Sequence, residues 1–255
     1  MDKKSILINF GEEDKDDVIN LYEKYRLSLE RDIPLFGNNF YSPNVWKYFE
    51  MHLGSKEFKV ESNGLFEDSE RRMISFNNLY NIPYPMKVLK ITNGSHFSNL
   101  THRDFLGAIL SLGIKRNKIG DLLVKDNICY LPVCEDIADF IIGNLSSVGK
   151  SPCEISILDE NLELPTFDFK ELIILVQSLR IDSIVAKLNN VSRAKAQSLI
   201  DCGKVLIDYN EPKSKGEEVA QGQRITIRGN GKFILGDIIG TSKSGKFKVE
   251  IKKYT

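Results

Sequence analysis

Basic and amide side chains recur at helical spacing in the last third of the chain. Arg193 and Gln197 are four residues apart and would lie on one side of a helix, while Arg180 and Lys187 would share one flank of the helix before it. Guanidinium, ammonium and amide groups are donors that bind phosphate oxygens. For a single lysine a solvated surface charge is the simpler interpretation, whereas the combination favours a surface that binds an anionic polymer.

The charge of the chain is unevenly distributed. The 255 residues carry 35 Lys and Arg and 35 Asp and Glu in total. Thr166–Thr255 holds 16 basic and 10 acidic residues, which leaves 19 basic and 25 acidic residues for the first 165. A basic C-terminal third can bind a polyanion, whereas the acidic front of the chain would be repelled by one.

Motifs typical of catalysis are incomplete in this sequence. "GTSKSGKF" at 240–247 lacks the final Ser or Thr of a phosphate-binding loop, and the alternating residues after it predict a hairpin turn and a strand. "HRD" at 102–104 predicts the first turn of a helix capped by Thr101, because a kinase loop would have Asn where Ile109 stands. The four cysteines include no C-x-x-C pair, so a zinc site is not expected. We therefore expect no catalytic residue, no metal and no cofactor.

Three segments differ in their patterns, and the expected fold class is multidomain α+β. Residues 1–80 predict an N-terminal α/β segment of helices and paired strands. Residues 81–165 have the order βαββαβ of a ferredoxin-like domain, the topology of RNA-recognition modules, although without that module's run of strand aromatics. After a linker at Glu163–Asp168, residues 166–255 predict a helix pair with a small antiparallel sheet.

Hydrophobic periodicity predicts the elements of these segments. Helices are expected at 14–32, 44–54, 101–113, 135–149, 178–190 and 191–203, and strands at 57–62, 71–78, 86–92, 118–124, 128–133, 153–158, 204–209, 223–229 and 246–254. Pro43 suits a first helical turn, Ser192 suits an N-cap, and Gly54 and Gly203 suit helix ends.

The chain is expected to be a cytoplasmic monomer without a membrane partner. No apolar run approaches the ~20 residues that span a bilayer. The N-terminal sequence "MDKKSILINFGEEDKDD" has no apolar core of the length that a signal peptide needs.

The C-terminal motifs resemble a known RNA-binding domain. Arg180-Ile181-Asp182, Ser192-Arg193, Leu199-Ile200, Gly203-Lys204-Val205 and "QGQRI" together resemble the S-four domain, named for the fourth small-subunit ribosomal protein, over about Leu179–Gly229. The resemblance implies that two helices and the following loop bind structured RNA, largely through phosphates and shape.

The resemblance extends over nearly the whole chain. "FYSPNVW", "SERRM", "YPMKVLKIT" and "LTHRDFLGAILSLGIKRNKIGDLLV", followed by the S-four module, are similar in order to YlmH-like bacterial proteins. This resemblance implies a non-enzymatic factor that binds rRNA or tRNA, and the large ribosomal subunit. The family is similar in role to ribosome-associated S-four proteins that act on stalled large subunits carrying peptidyl-tRNA. It is also linked to cell division.

One loop departs from the family pattern. The family commonly has Val-Asn-Gly or Val-Asn-Trp where this chain has Ile207-Asp208-Tyr209. A carboxylate at Asp208 beside RNA would weaken a phosphate contact. Tyr209 could stack on a base or a sugar, or simply pack.

The predicted RNA contacts lie mainly in the C-terminal module. They are Arg180, Lys187, Ser192, Arg193, Lys195, Gln197, Lys204, Asp208, Tyr209 and Lys213. A secondary contact is predicted at Arg71, Arg72, Lys115 and Arg116. For the two arginines of "SERRM", a surface ion pair with Glu70 is the alternative interpretation.

Two other functions stay open at the level of sequence. S-four modules often accompany catalytic domains, so an RNA-modifying enzyme with an unrecognised catalytic domain is one alternative. The Gly-Arg-Leu-Asp context of the related pseudouridine synthases is absent here, and no glycine loop for a methyl donor stands out. The other alternative is an interaction scaffold for cell-division proteins.

Overall fold

The computed structural model describes residues 2–66, 68–95, 98–158 and 164–254. The chain forms two compact units, Met1–Thr166 and Phe167–Thr255. Of the predicted linker, Glu163 lies outside the described residues, and 164–168 have no regular secondary structure.

The N-terminal part of the first unit combines helices with a small antiparallel sheet. Its elements are α1 (Lys3–Leu7), α2 (Glu12–Arg31), β1 (Leu35–Phe36), α3 (Pro43–Leu53), β2 (Val60–Asn63) and β3 (Met73–Phe76). The strands are ordered β1-β3-β2, and the predicted pairing of the segments at 57–62 and 71–78 is confirmed by β2 and β3. The helix predicted after Pro43 is also confirmed, with Gly54 as its C-cap.

The second part of the first unit is an antiparallel sheet with two helices packed against it. Its elements are β4 (Met86–Asn93), α4 (His102–Ser111), β5 (Leu123–Lys125), β6 (Ile128–Cys134), α5 (Glu135–Asn144), β7 (Ser147–Val148) and β8 (Ser151–Ile157). The strand order is β5-β6-β4-β8-β7, and each neighbouring pair is antiparallel. Helix α4 buries Phe105 and Ile109, and α5 buries Ile141, in one cluster with Leu89 and Leu131 of the sheet. The order βαββαβ is therefore present, with the short β7 added.

Two predicted elements in this part are shorter in the structure. The segment expected to be a strand at 118–124 is a regular strand only from Leu123. Ile119 forms a single antiparallel bridge with Val133 of the neighbouring strand, and the Asp121 carboxylate then accepts the backbone N–H groups of Glu70 and Arg71, in another part of the unit. A 3₁₀ turn at Arg116–Lys118 precedes it. The helix expected to reach residue 149 ends at 144, because the following residues pair with β8.

The second unit packs a helix pair on one antiparallel sheet. Its elements are β9 (Phe169–Val176), α6 (Ile181–Leu188), α7 (Arg193–Asp201), β10 (Val205–Ile207), β11 (Arg224–Ile227), β12 (Gly231–Thr241) and β13 (Phe247–Tyr254). The strand order is β10-β11-β12-β13-β9. The hairpin turn predicted at 242–245 is confirmed: Gly245 N donates to Ser242 O at 2.9 Å, and β13 follows the turn.

Within the described residues, no helix has the length and apolar character needed to cross a membrane.

Gly64 occupies a tight position where the chain leaves β2. A Cβ at Gly64 would overlap the Ser69 Cβ and lie 2.6 Å from the Arg71 carbonyl oxygen. Ser69 Oγ also donates to Gly64 O at 2.8 Å and accepts from Phe66 N at 3.2 Å. The turn therefore has no room for a side chain.

We expect Gly64→Ala to lower the free energy of unfolding of the first unit by about 2 kcal/mol, because the backbone must shift to relieve the overlap. Urea unfolding followed by fluorescence of Trp46, the single tryptophan of the chain, measures this. Gly107→Ala is the control: it lies in α4 with no atom within 4 Å of the new Cβ, and should raise stability by up to about 1 kcal/mol. Equal effects of the two changes would contradict the expectation.

Candidate nucleic-acid interface

The helix pair of the second unit is formed by amphipathic sequence and local capping. Helix α6 buries Ile181, Ile184 and Val185 at spacings of three and four residues. At the start of α7, Ser192 Oγ accepts the N–H of Lys195 at 3.2 Å, as expected of an N-cap. Fully buried Ala196 lets the two helices approach closely.

A buried carboxylate lies between the two helices. Asp182, in the first turn of α6, has no solvent exposure. Arg193 donates Nε–H to Asp182 Oδ2 at 2.9 Å and Nη2–H to Oδ1 at 3.1 Å. Arg180 makes a second bidentate contact, from Nε–H to Asp182 Oδ1 at 3.3 Å and from Nη2–H to Oδ2 at 3.2 Å. Gln197 Nε2 donates to Asp182 Oδ2 at 2.9 Å. Three residues that were predicted separately as RNA contacts are thus brought together by one carboxylate.

These contacts fix the charge state of the cluster. Burial alone would raise the pKa of Asp182, but the hydrogen bonds from Arg193, Arg180 and Gln197 and the charge of Arg193 hold it well below its usual range. The hydrogen bond and charge of Asp182 in turn raise the pKa of Arg193. Asp182 is therefore ionised at neutral pH, and the cluster keeps a net positive charge.

The arginines keep donors for an external anion. A guanidinium has five N–H groups, and each arginine uses two of them on Asp182. The side chain of Arg180 is 41% exposed and that of Arg193 is 49% exposed. The remaining N–H groups are oriented in advance, which suits charge-assisted hydrogen bonds to phosphate.

Arg180 is also held by the loop before β11. A Cβ on Gly216 would lie 2.6 Å from Arg180 Cζ, so the guanidinium lies directly against this glycine. Ile181 N donates to Glu217 O at 2.8 Å, and Val219 N donates to Leu179 O at 3.0 Å. The loop thus pairs with the chain around Arg180.

The lysines among the predicted contacts stand at separate positions. Lys187 lies in the last turn of α6 and Lys195 in the first turn of α7. Lys204 follows Gly203, whose φ of 63° ends the second helix, and Lys213 lies in the loop before β11. Ser192 uses its hydroxyl oxygen in capping α7.

The loop that departs from the family pattern is a two-residue hairpin turn. Ile207 N donates to Asn210 O at 2.9 Å and Asn210 N donates to Ile207 O at 3.0 Å, while Asp208 and Tyr209 have φ of 45° and 70°. Such a turn favours Asn-Gly, because both central residues are left-handed. Here the Asp208 carboxylate accepts from Arg224 N and Gln223 Nε2, both at 3.1 Å. The carboxylate is therefore held inside the turn, and the Tyr209 ring lies 5.5 Å from Lys232 Nζ.

Two of the secondary candidates donate hydrogen bonds to backbone carbonyls within the first unit. Arg71 Nη1 donates to Phe40 O at 3.0 Å, and Arg116 Nη1 donates to Ile119 O at 2.7 Å and Gly120 O at 3.1 Å. Burial and the nearby charge of Arg71 lower the pKa of Arg116 to about 10. These arginines have structural contacts, and a role toward RNA stays a prediction.

The other two secondary candidates differ in their surroundings. Arg72 Nε donates to Ser69 O at 3.1 Å, and its guanidinium carbon lies 4.8 Å from the ring centre of Trp46. Lys115 is exposed. Among the residues that the structure describes, no group of three His, Cys, Asp or Glu could hold a metal ion.

Asp182 and Gly216 were absent from the predicted contacts. A signal for Asp182 was present, since it is an acidic residue in an amphipathic helix, two residues after Arg180 and beside the apolar Ile181. A charge that is buried with such a helix needs partners. No comparable signal marks Gly216, because its role depends on where the Arg180 side chain lies.

Comparison with known proteins shows similarity along most of the chain. Residues 81–161 match the family model described as the putative RNA-binding domain in YlmH. Over 236 residues the chain is 27% identical to the Bacillus subtilis (strain 168) ribosome-associated protein quality control protein P2, covering 91% of this chain and 89% of the relative. The solved structure of cell division protein ylmH from Streptococcus pneumoniae matches with a TM-score of 0.47 and 22% identity, over 60% of this chain and 97% of that chain. The similarity to YlmH-like proteins that the motifs predicted is confirmed.

The Asp182 cluster should make the stability of the second unit depend on pH. Because the pKa of Asp182 is lower in the folded than in the unfolded chain, its contribution is complete above the ordinary carboxyl pKa of about 4 and is lost as the pH falls below it. We expect Asp182→Asn to lower the free energy of unfolding by about 2 kcal/mol at pH 7. The difference should shrink toward pH 2, as measured by urea unfolding followed by circular dichroism.

Asp201→Asn is the matched control on the same helix pair. Asp201 lies 2.7 Å from Lys215 Nζ, and both side chains are about half exposed. Removing this surface pair should change stability by less than about 0.5 kcal/mol. A destabilisation by Asp182→Asn that stayed constant from neutral to acidic pH would contradict the role given to the carboxylate.

Proposed function

We propose that this YlmH-like chain is a non-enzymatic factor that binds structured rRNA or tRNA on the large ribosomal subunit, through the helix pair of its C-terminal, S-four-type unit. In this proposal it acts as a cytoplasmic monomer in ribosome quality control. The ferredoxin-like segment at 81–165 and the N-terminal segment position it or contact another part of the ribosome.

The observation that carries the proposal is the Asp182 cluster. Arg180, Arg193 and Gln197 are held at 2.9 to 3.3 Å from one buried carboxylate, with both guanidiniums about half exposed. A core built for stability alone would often be as stable with apolar residues in place of a buried ion pair. Donors that are fixed in place and half exposed instead favour the binding of phosphate.

The surroundings of the cluster support the same ligand. The unit holds 16 basic against 10 acidic residues from Thr166 onward, and Lys187, Lys195 and Lys204 stand on or beside the two helices. Basic side chains that bind RNA phosphates release counterions, so such binding depends strongly on salt. A relative that covers nearly the whole chain bears the name of a ribosome-associated quality control protein.

Removing the two arginines should weaken binding to ribosomes. We expect Arg180→Ala with Arg193→Ala to reduce affinity for purified large subunits about tenfold for each phosphate that is no longer bound, measured by co-sedimentation at several salt concentrations. Because this variant leaves Asp182 without its arginine partners and can lose stability, a second variant is needed. It combines Lys187→Gln, Lys195→Gln and Lys204→Gln, which leave the Asp182 cluster intact.

The matched control removes the same charge from the first unit. Lys4, Lys56 and Lys150 are exposed there and are not among the predicted contacts, so their change to Gln should weaken binding less than the change of the three C-terminal lysines. Co-sedimentation unchanged in the folded C-terminal lysine variant and in the double arginine variant would overturn the proposal. A modification missing from the RNA of cells that lack the gene, found by mass spectrometry, would favour an RNA-modifying enzyme instead.

A further inference from the structure

The helix pair covers only one face of the C-terminal sheet. Ile225, Phe233 and Ile251 are buried in the same core as Ile181 and Ile200 of the two helices. Side chains alternate between the faces of a strand. The neighbouring residues of the same strands therefore lie on the opposite side, which we call the outer sheet face: Phe169, Arg224, Lys232, Lys252 and Tyr254.

Strand register brings these residues close to one another. Arg224 of β11 and Lys252 of β13 both stand opposite Ile234 of β12. Tyr254, two residues beyond Lys252 on the same side of β13, stands opposite Phe169 of β9. The outer sheet face is thus a continuous surface across four strands.

Cations and aromatic rings alternate on this face. The rings of Phe169 and Tyr254 lie 4.8 Å apart in an edge-on arrangement. Arg224 Nε donates to the Tyr254 hydroxyl at 2.9 Å, and Lys252 Nζ lies 5.8 Å from the Phe169 ring centre. Lys232 Nζ lies 5.5 Å from the ring of Tyr209, which extends the surface toward the turn after β10.

Two acidic residues, Glu171 and Glu250, also lie on the outer sheet face. Glu171 stands opposite Lys252 in the register of β9 and β13, and Glu250 stands further along, opposite Ile173. The Asp208 carboxylate is held by hydrogen bonds from Arg224 N and Gln223 within its own turn. Arg224, Lys232 and Lys252 are the cations beside the rings, and they share the face with the carboxylates of Glu171 and Glu250.

We propose that the outer sheet face binds an unpaired stretch of RNA, as a second contact surface separate from the helix pair. The rings of Phe169 and Tyr254 offer stacking surfaces for bases, and Arg224, Lys232 and Lys252 offer charges for the phosphates between them. Aromatic rings interleaved with cations fit a nucleic acid better than an apolar protein surface. This inference rests on the proposed function in one respect, which is that the ligand is RNA.

The test uses the full chain and a labelled single-stranded RNA. The probe is a repeat of C and A of about 12 nucleotides, which cannot pair with itself and matches the length that such surfaces bind. Fluorescence anisotropy gives the affinity at several salt concentrations. The variants are Lys232→Gln with Lys252→Gln, and separately Tyr254→Leu.

Both variants should weaken binding of the probe. The lysine pair should reduce the affinity about tenfold and reduce the slope of log K against log salt by about 1.4, or about 0.7 for each single-strand phosphate that is no longer neutralised. Tyr254→Leu should reduce the affinity about tenfold with little change in that slope, because it removes stacking rather than charge. Lys243→Gln with Lys246→Gln is the control, since it removes the same charge at the hairpin turn between β12 and β13, at the opposite end of β13 from Tyr254.

Three outcomes would overturn the inference. They are failure of the unaltered chain to bind the probe, equal weakening by Lys243→Gln with Lys246→Gln, and probe binding that is abolished in Arg180→Ala with Arg193→Ala while the outer-face variants bind normally. The last outcome would assign single strands to the helix pair. The proposed function is judged separately by co-sedimentation with large subunits, so failure of one is distinguishable from failure of the other.

Discussion

The Asp182 carboxylate is the interaction on which the C-terminal helix pair depends. A charge with no solvent exposure is tolerated only when opposite charges and hydrogen bonds satisfy it. Arg180 precedes α6, while Arg193 and Gln197 occupy successive turns of α7, so one group fixes how the helices meet. The same bonds hold the guanidiniums at the surface, where an anionic ligand can reach them.

The alternation of side chains in the sheet gives the second unit two different faces. The inner face is apolar and packs beneath the helices, and the outer face carries rings and cations. Since both sets come from the same strands, any shift of register by one residue would exchange them. The apolar core therefore determines where the polar residues of the outer sheet face stand.

The first unit shows how a distant contact overrides a local pattern. The Asp121 carboxylate accepts the N–H groups of Glu70 at 2.5 Å and Arg71 at 2.8 Å. Gly120, just before it, would place a Cβ 3.1 Å from the Phe40 ring. The backbone follows these contacts, and the strand that alternation predicted at 118–124 starts late. The Arg71 side chain is correspondingly tied to the carbonyl oxygen of Phe40.

Local chemistry in the sequence was enough to determine the helix beginning at Pro43, the cap at Ser192, the helix end at Gly203 and the turn at 242–245. Each depends on residues within a few positions of one another, through backbone geometry and short-range hydrogen bonds. The sequence motifs also indicated the similarity to YlmH-like proteins. Only the tertiary structure decided that Arg180, Arg193 and Gln197 share a buried Asp182, and that rings and cations from four strands form one face. Those groupings join residues from different helices and strands, and no local preference encodes which distant side chains will meet.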